Sequence, residues 1–139
     1  MKYLELSELR IGNTIGFYKP DITELQRGTI KQILLNEHEE YTFDVPEFSN
    51  MVNIESIKGI CGFPLIEKIL LEFGWVEFQD SAPGNFYYKG WFMIKVINGE
   101  FFFYKRLSDK MYTTSALLKK IEFIHELENL YFELTHNHE

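Results

Sequence analysis

The chain has 139 residues, 45% of them hydrophobic and 17% aromatic, which is enough apolar surface for one sizeable core and too much for a disordered chain. Its 14 basic and 21 acidic residues leave a net charge of −7, so generic attraction to nucleic acid or to an anionic membrane is not expected. The one cysteine, Cys61, excludes an intrachain disulfide and a multi-cysteine zinc site, and it fits a reducing compartment.

Met1 to Ile11 carries Glu5, Glu8 and Arg10 among its apolar residues, which is unlike a secretory leader. The uncharged apolar runs fall short of the roughly 18 to 20 residues that a membrane-spanning helix needs, so a cytoplasmic protein without a membrane partner is expected. No repeat, low-complexity tract or linker divides the chain. It reads as a single domain over 1–139, with a β-rich half over about 1–60 and a second half over about 61–139.

In the first half, β-branched and aromatic runs at Thr14 to Tyr18, Gly28 to Leu34, Tyr41 to Val45 and Ile54 to Ile60 alternate with turn residues. This rhythm predicts a small, strongly bent antiparallel sheet or an SH3-like barrel. Lys19 to Arg27, with Pro20-Asp21, reads as an exposed loop, and Asn36 to Glu40 as a charged turn. Leu65, Ile69, Leu70 and Phe73 recur at helical spacing and predict a helix over about 65–73, with Pro64 at its entry and Gly74 as its left-handed stop. Strands are predicted at Trp75 to Gln79, Phe86 to Lys89, Trp91 to Ile97 and Glu100 to Arg106. Met111 to Leu118 reads as a further strand or, with Ser115 as cap, an early helical turn. Ile124, Leu127, Leu130, Tyr131 and Leu134 form an amphipathic stripe that predicts a C-terminal helix over about 121–135, and His136 to Glu139 are expected to fray. The fold class is therefore α+β, an antiparallel sheet with an SH3-like N-terminal part and two helices.

Asn98-Gly99 is the strongest short hairpin signal, because a type I′ turn needs positive φ at both central residues. If these two residues are the loop, the register follows. Val96 then faces Phe101, Ile94 faces Phe103 and Phe92 faces Lys105, an almost wholly apolar side that belongs in the core. The reverse side pairs Ile97 with Glu100, Lys95 with Phe102, Met93 with Tyr104 and Trp91 with Arg106.

Three segments carry a resemblance. They are Leu9-Arg10-Ile11-Gly12-Asn13, then Gly62-Phe63-Pro64-Leu65 with Leu70-Leu71-Glu72-Phe73-Gly74-Trp75, and then His125-Glu126-Leu127-Glu128-Asn129-Leu130-Tyr131-Phe132 with Leu134-Thr135. Together they resemble a group of short uncharacterised proteins from Bacteroidetes genomes and their phages, with an L-R-I-G-N start, a G-I-P-L-T helix entry and an H-x-L-Q-N-L-Y-F-A-L-T helix. The resemblance implies a phage or mobile-element context and no particular activity. Two departures stand out: Ile66 replaces the usual Thr, removing a side-chain cap worth about 1 kcal/mol, and Glu128 replaces the usual Gln.

No catalytic constellation emerges. His125 and Asn129, four apart on one helix face, could orient a substrate or act as general base, against the simpler reading of a core histidine and an amide bridging to a loop. Cys61 with His125 lacks a third orienting group, and a small buried filler is the simpler reading of the thiol. His136 and His138 are too few and too terminal for a metal site, so no metal or other cofactor is expected. From Phe86 to Lys120 seven basic residues stand against two acidic ones, a local excess of positive charge. Trp91, Met93, Lys95, Phe102, Tyr104 and Arg106 on the reverse side of the hairpin are therefore the candidate binding residues. The expected function is a non-enzymatic protein-interaction or accessory module; the alternative is single-stranded nucleic-acid binding through hairpin 91–106, by stacking beside cations.

Overall fold

The structure, a computed structural model, describes residues 4–78, 86–106 and 115–136. The chain forms two compact units, one made of Met1–Pro64 with Phe123–Glu139 and the other of Leu65–Glu122. Mostly antiparallel strands with helices give the mixed α+β class. Among the described residues no helix is long and apolar enough to cross a membrane. Gln79, the segment 107–114 and His138 lie outside the described residues.

In the first unit β1 (Thr14–Phe17) pairs antiparallel with β2 (Gln26–Thr29), and β3 (Gln32–Leu35) with β4 (Tyr41–Asp44). The expected strand Gly28 to Leu34 is thus split. Ile30 N donates to Asn13 O while Lys31 N donates to Asp44 O, so pairing switches partner across one peptide and the run bends there. The expected strand Ile54 to Ile60 is not formed. Ile54 makes an isolated bridge to Phe43, and a 3-10 turn over Ile57–Gly59 follows, where Ser56 Oγ accepts from Lys58 N. Cys61 then bridges to Gly16, on the side of β1 away from β2. These pairings surround a core of Leu4, Leu9, Ile15, Phe17, Ile30, Phe43, Val45, Ile54 and Ile60. Gly28 is required by packing: a Cβ there would lie 2.6 Å from Val45 Cγ1 and 2.7 Å from Phe17 Cε1. The expected loop Lys19 to Arg27 ends earlier, because Gln26 and Arg27 pair with Phe17 and Gly16 in β2; its remainder and the Asn36 to Glu40 turn are largely exposed, as expected.

The C-terminal helix α2 (Ile124–His136) belongs to this unit and packs on β1. It starts later than the stripe predicts, because Ile121 ends a strand and Phe123 bridges to Pro64. Glu126 Oε1 accepts from Phe123 N at 3.0 Å, which satisfies one otherwise orphan donor at the helix start. Pro64 therefore serves this bridge and does not open the first helix.

The second unit begins with α1 (Glu67–Glu72), shorter than the predicted 65–73. Its N-cap, Ile66, makes no side-chain cap bond, as the missing hydroxyl implies. At its end Gly74 adopts φ +88, Trp75 N donates to Leu70 O and Gly74 N to Leu71 O, a Schellman stop. A five-stranded antiparallel sheet follows in sequential order: β5 (Val76–Glu77), β6 (Phe86–Lys89), β7 (Phe92–Ile97), β8 (Glu100–Arg106) and β9 (Ser115–Ile121). Asn98 (φ +53) and Gly99 (φ +78) form the β7–β8 turn, and the register matches the expected one from Ile97–Glu100 to Phe92–Lys105. Trp91 differs: it lies with Gly90 (φ +60) in the two-residue turn before β7, so it does not pair with Arg106, which sits opposite Ser115. Tyr87, Phe92, Ile94, Phe101, Phe103 and Ile121 form the inner face, and Trp75 beside α1 meets the Phe103 ring edge-on at 5.9 Å.

Candidate functional site

Because paired residues share a face, the register lays two cross-strand rows on the outer side of the β5–β9 sheet. One runs Val76, Tyr88, Met93, Tyr104, Leu117; the other runs Phe86, Lys95, Phe102, Lys120. A register shift between Phe103 and Tyr104 breaks the alternation in β9, and both Leu117 and Leu118 are exposed there. Five of the six candidate residues can be placed in detail. Met93 is buried at 1% exposure, Lys95, Phe102 and Tyr104 are half-buried, and Trp91 stands 52% exposed at the turn. Arg106 is placed only as the last residue of β8.

Lys95 joins the two rows. Its ammonium lies 4.4 Å from the Tyr104 ring centroid and 5.6 Å from that of Phe86, within cation–π range. An open cleft of about 450 Å³ beside it is lined by Phe86, Lys95, Val96, Ile97 and Asn98. Two other cations of the sheet are engaged: Lys120 Nζ meets Glu100 Oε1 at 3.2 Å, and Lys89 Nζ donates to Phe73 O at 2.8 Å. On the inner side Tyr87 Oη donates to Glu67 Oε1 at 3.2 Å. Burial, with the negative charges of Glu67 and Glu77, pushes this phenol up to about 12.

Sequence reasoning passed over Phe86 and Tyr88, which β6 contributes to the outer rows. A signal was present in the Gly90-Trp91 pair, since a two-residue loop there sets Tyr88 opposite Met93 as firmly as Asn98-Gly99 sets Tyr104 opposite it.

His125 and Asn129 lie in the other unit and do different work. The His125 ring is 1% exposed and stacks on Phe123 at 5.9 Å, with its Nε2 3.9 Å from Glu8 Oε1, the setting of a packed core side chain. Asn129 Nδ2 donates to Glu8 O and its Oδ1 accepts from Asn13 Nδ2, both at 2.8 Å. Asn13 Oδ1 in turn accepts from Arg10 N at 2.7 Å, and Gly12 takes φ +97 to turn the loop. Glu128 accepts from Thr14 N at 2.7 Å and from Thr14 Oγ1 at 2.9 Å, and Arg10 reaches Glu133 at 2.7 Å. Gly62 leaves room for Phe123, whose ring a Cβ would meet at 2.5 Å. Polar residues of the Leu9 to Asn13 and His125 to Thr135 segments thus hold α2 to the start of β1, while Gly62 and Pro64 meet Phe123 just before that helix.

Burial pushes the Glu128 carboxyl above the usual carboxylate range, outweighing the hydrogen bonds from Thr14 and Asn13 that favour its charge. A carboxyl raised on folding contributes stability that is complete below its unfolded pKa and is lost as pH rises through the folded one. Glu128→Gln keeps an acceptor for Thr14 N without the buried charge. It is expected to be more stable than the wild type at neutral pH, with the gap closing below about pH 4 in urea melts across pH. Equal midpoints at every pH would remove this account.

Burial likewise pushes the Cys61 thiol up, as befits a packed side chain. Among the described residues no group of three or more His, Cys, Asp or Glu is placed to hold a metal ion. Comparison with protein-family models, with curated proteins and with solved structures finds no match.

Proposed function

We propose that the chain is a non-enzymatic accessory module that recognises another protein through the outer rows of the β5–β9 sheet. The observation that carries this reading is the row of half-buried rings around Lys95, bordered by Trp91, Ile97 and Leu117, each about half exposed. Aromatic side chains clustered with few charges are the usual centre of a protein interface. Single-stranded nucleic acid fits less well, because a phosphate chain asks for a track of available cations, and Lys89 and Lys120 are already engaged.

The first unit is read as an SH3-like barrel. The support is its pairing order, with the last strand position, Cys61, returning to β1 after a 3-10 turn. The contact between the first and last resembling segments supports grouping the chain with the short Bacteroidetes and phage proteins, acting in the cytoplasm. In that grouping the shared motif residues are structural, and the outer sheet rows are where members would differ.

The test places a photo-cross-linking amino acid at Phe102 or, as control, at the exposed Met51, followed by irradiation in host lysate. Discrete polypeptide adducts at position 102 that are absent at 51 are expected. Adducts only to nucleic acid, or none beyond the control, would overturn the reading.

A further inference from the structure

Resting on that reading, we propose that the cleft beside Lys95 takes an extended acidic segment of a partner protein, with a carboxylate set next to an apolar side chain. The lining residues Phe86, Lys95, Val96, Ile97 and Asn98 include one charge, and it is positive. Among the described residues the partners of that ammonium are two ring faces, Tyr104 and Phe86, and no carboxylate. A cation held over rings keeps its outward side for an anion, and the half-desolvated setting strengthens that contact over one in water. The rest of the lining is apolar or neutral: Ile97, on the same face of β7 as Lys95, offers an aliphatic wall, and the Asn98 amide stands at the turn.

The ligand must therefore combine one negative group with an apolar body. A cleft of about 450 Å³ is within the size range of sites that hold small ligands or a few side chains. The acid nearest along the hairpin, Glu100, does not compete for Lys95, because its carboxylate is paired with Lys120. That pair has a second effect: it neutralises the one acidic group of the hairpin loop region, so an incoming carboxylate meets no repulsion from it. A lone cation in an apolar cleft selects one carboxylate at a defined place. It does not select a polyanion, whose regular charges would find only one partner here.

A random dodecapeptide display library selected on the full chain and counter-selected on Lys95→Glu tests this. The expected product is a consensus with Asp or Glu beside an aliphatic or aromatic residue. The corresponding synthetic peptide should bind the wild type, lose about tenfold or more with Lys95→Glu, and lose less with Lys95→Gln. Circular dichroism of both variants checks that the fold is kept, and amide shifts should change at Phe86, Lys95 and Ile97. A neutral or basic consensus, binding indifferent to Lys95, or no enrichment overturns the proposal. None of these results removes adducts at position 102, so the broader interaction reading stands or falls separately. Adducts at 102 combined with a basic consensus would keep the interface and discard its acidic partner.

Discussion

Phe103→Ala is expected to cost about 3–5 kcal/mol and to unfold much of the β5–β9 unit, whereas Phe102→Ala, one residue away, is expected to cost about 1 kcal/mol or less. The two side chains point to opposite faces of β8. Phe103 is fully buried, its centroid 5.4 Å from that of Phe92 and 5.9 Å from that of Trp75, opposite Ile94 in the ladder. Truncation would leave a ring-sized void among groups that are themselves fixed by the strand and by the helix stop at Gly74. Neither can collapse to fill it, so the cavity term adds to the lost transfer energy. Phe102 is half-buried beside Lys95 and Lys120, and its removal exposes a shallow surface that water can cover. Urea melts followed by near-ultraviolet circular dichroism, with Trp75 as the local reporter, give both values. A reversed order of the two costs would mean that β8 is one residue out of register, which would move Phe102 and Tyr104 to the inside.

That contrast also shows why this part of the molecule was legible in the sequence. Asn98-Gly99 is a local signal with a single geometric meaning, and a two-residue loop fixes the side of every residue on both strands. The α1 stop was legible for the same reason, since Gly74 supplies a torsion that other residues avoid. Ile30-Lys31 gave no such mark. The bend there comes from two hydrogen bonds to distant partners, Asn13 and Asp44, and a run of β-branched residues reads the same whether or not it changes partner. Ile54 to Ile60 failed for a related reason: Ser56 and Gly59 favour a tight turn, and the apolar residues around them fill the core without pairing along a strand. For the candidate site, the outer face of β7 and β8 was readable from alternation. Its extension to Phe86 and Tyr88 needed the second turn at Gly90-Trp91, and the burial of Met93 depends on neighbours that the hairpin alone does not specify.

The polar residues of the resembling segments illustrate the other limit, because a sequence shows which amides and carboxylates are present and not which of them meet. Asn13→Ala and Asn129→Ala are each expected to cost about 2 kcal/mol, and the double variant appreciably less than their sum. Asn129→Ala deprives both Asn13 Nδ2 and Glu8 O of their partner; against this stands only the better helix propensity of alanine, a few tenths of a kcal/mol. Asn13→Ala removes the same inter-residue bond and also leaves Arg10 N without its acceptor. Since Asn13 is 3% exposed, water does not readily replace what is lost. The shared bond is then removed once in the double variant but charged to both single variants, so a coupling energy of about 1 kcal/mol is expected in a double-mutant cycle read by chemical denaturation. Additive costs would mean that the two side chains do not meet. Coupling of the expected size would show that the segments from opposite ends of the chain are matched to each other by packing and hydrogen bonding, leaving recognition to the rings around Lys95.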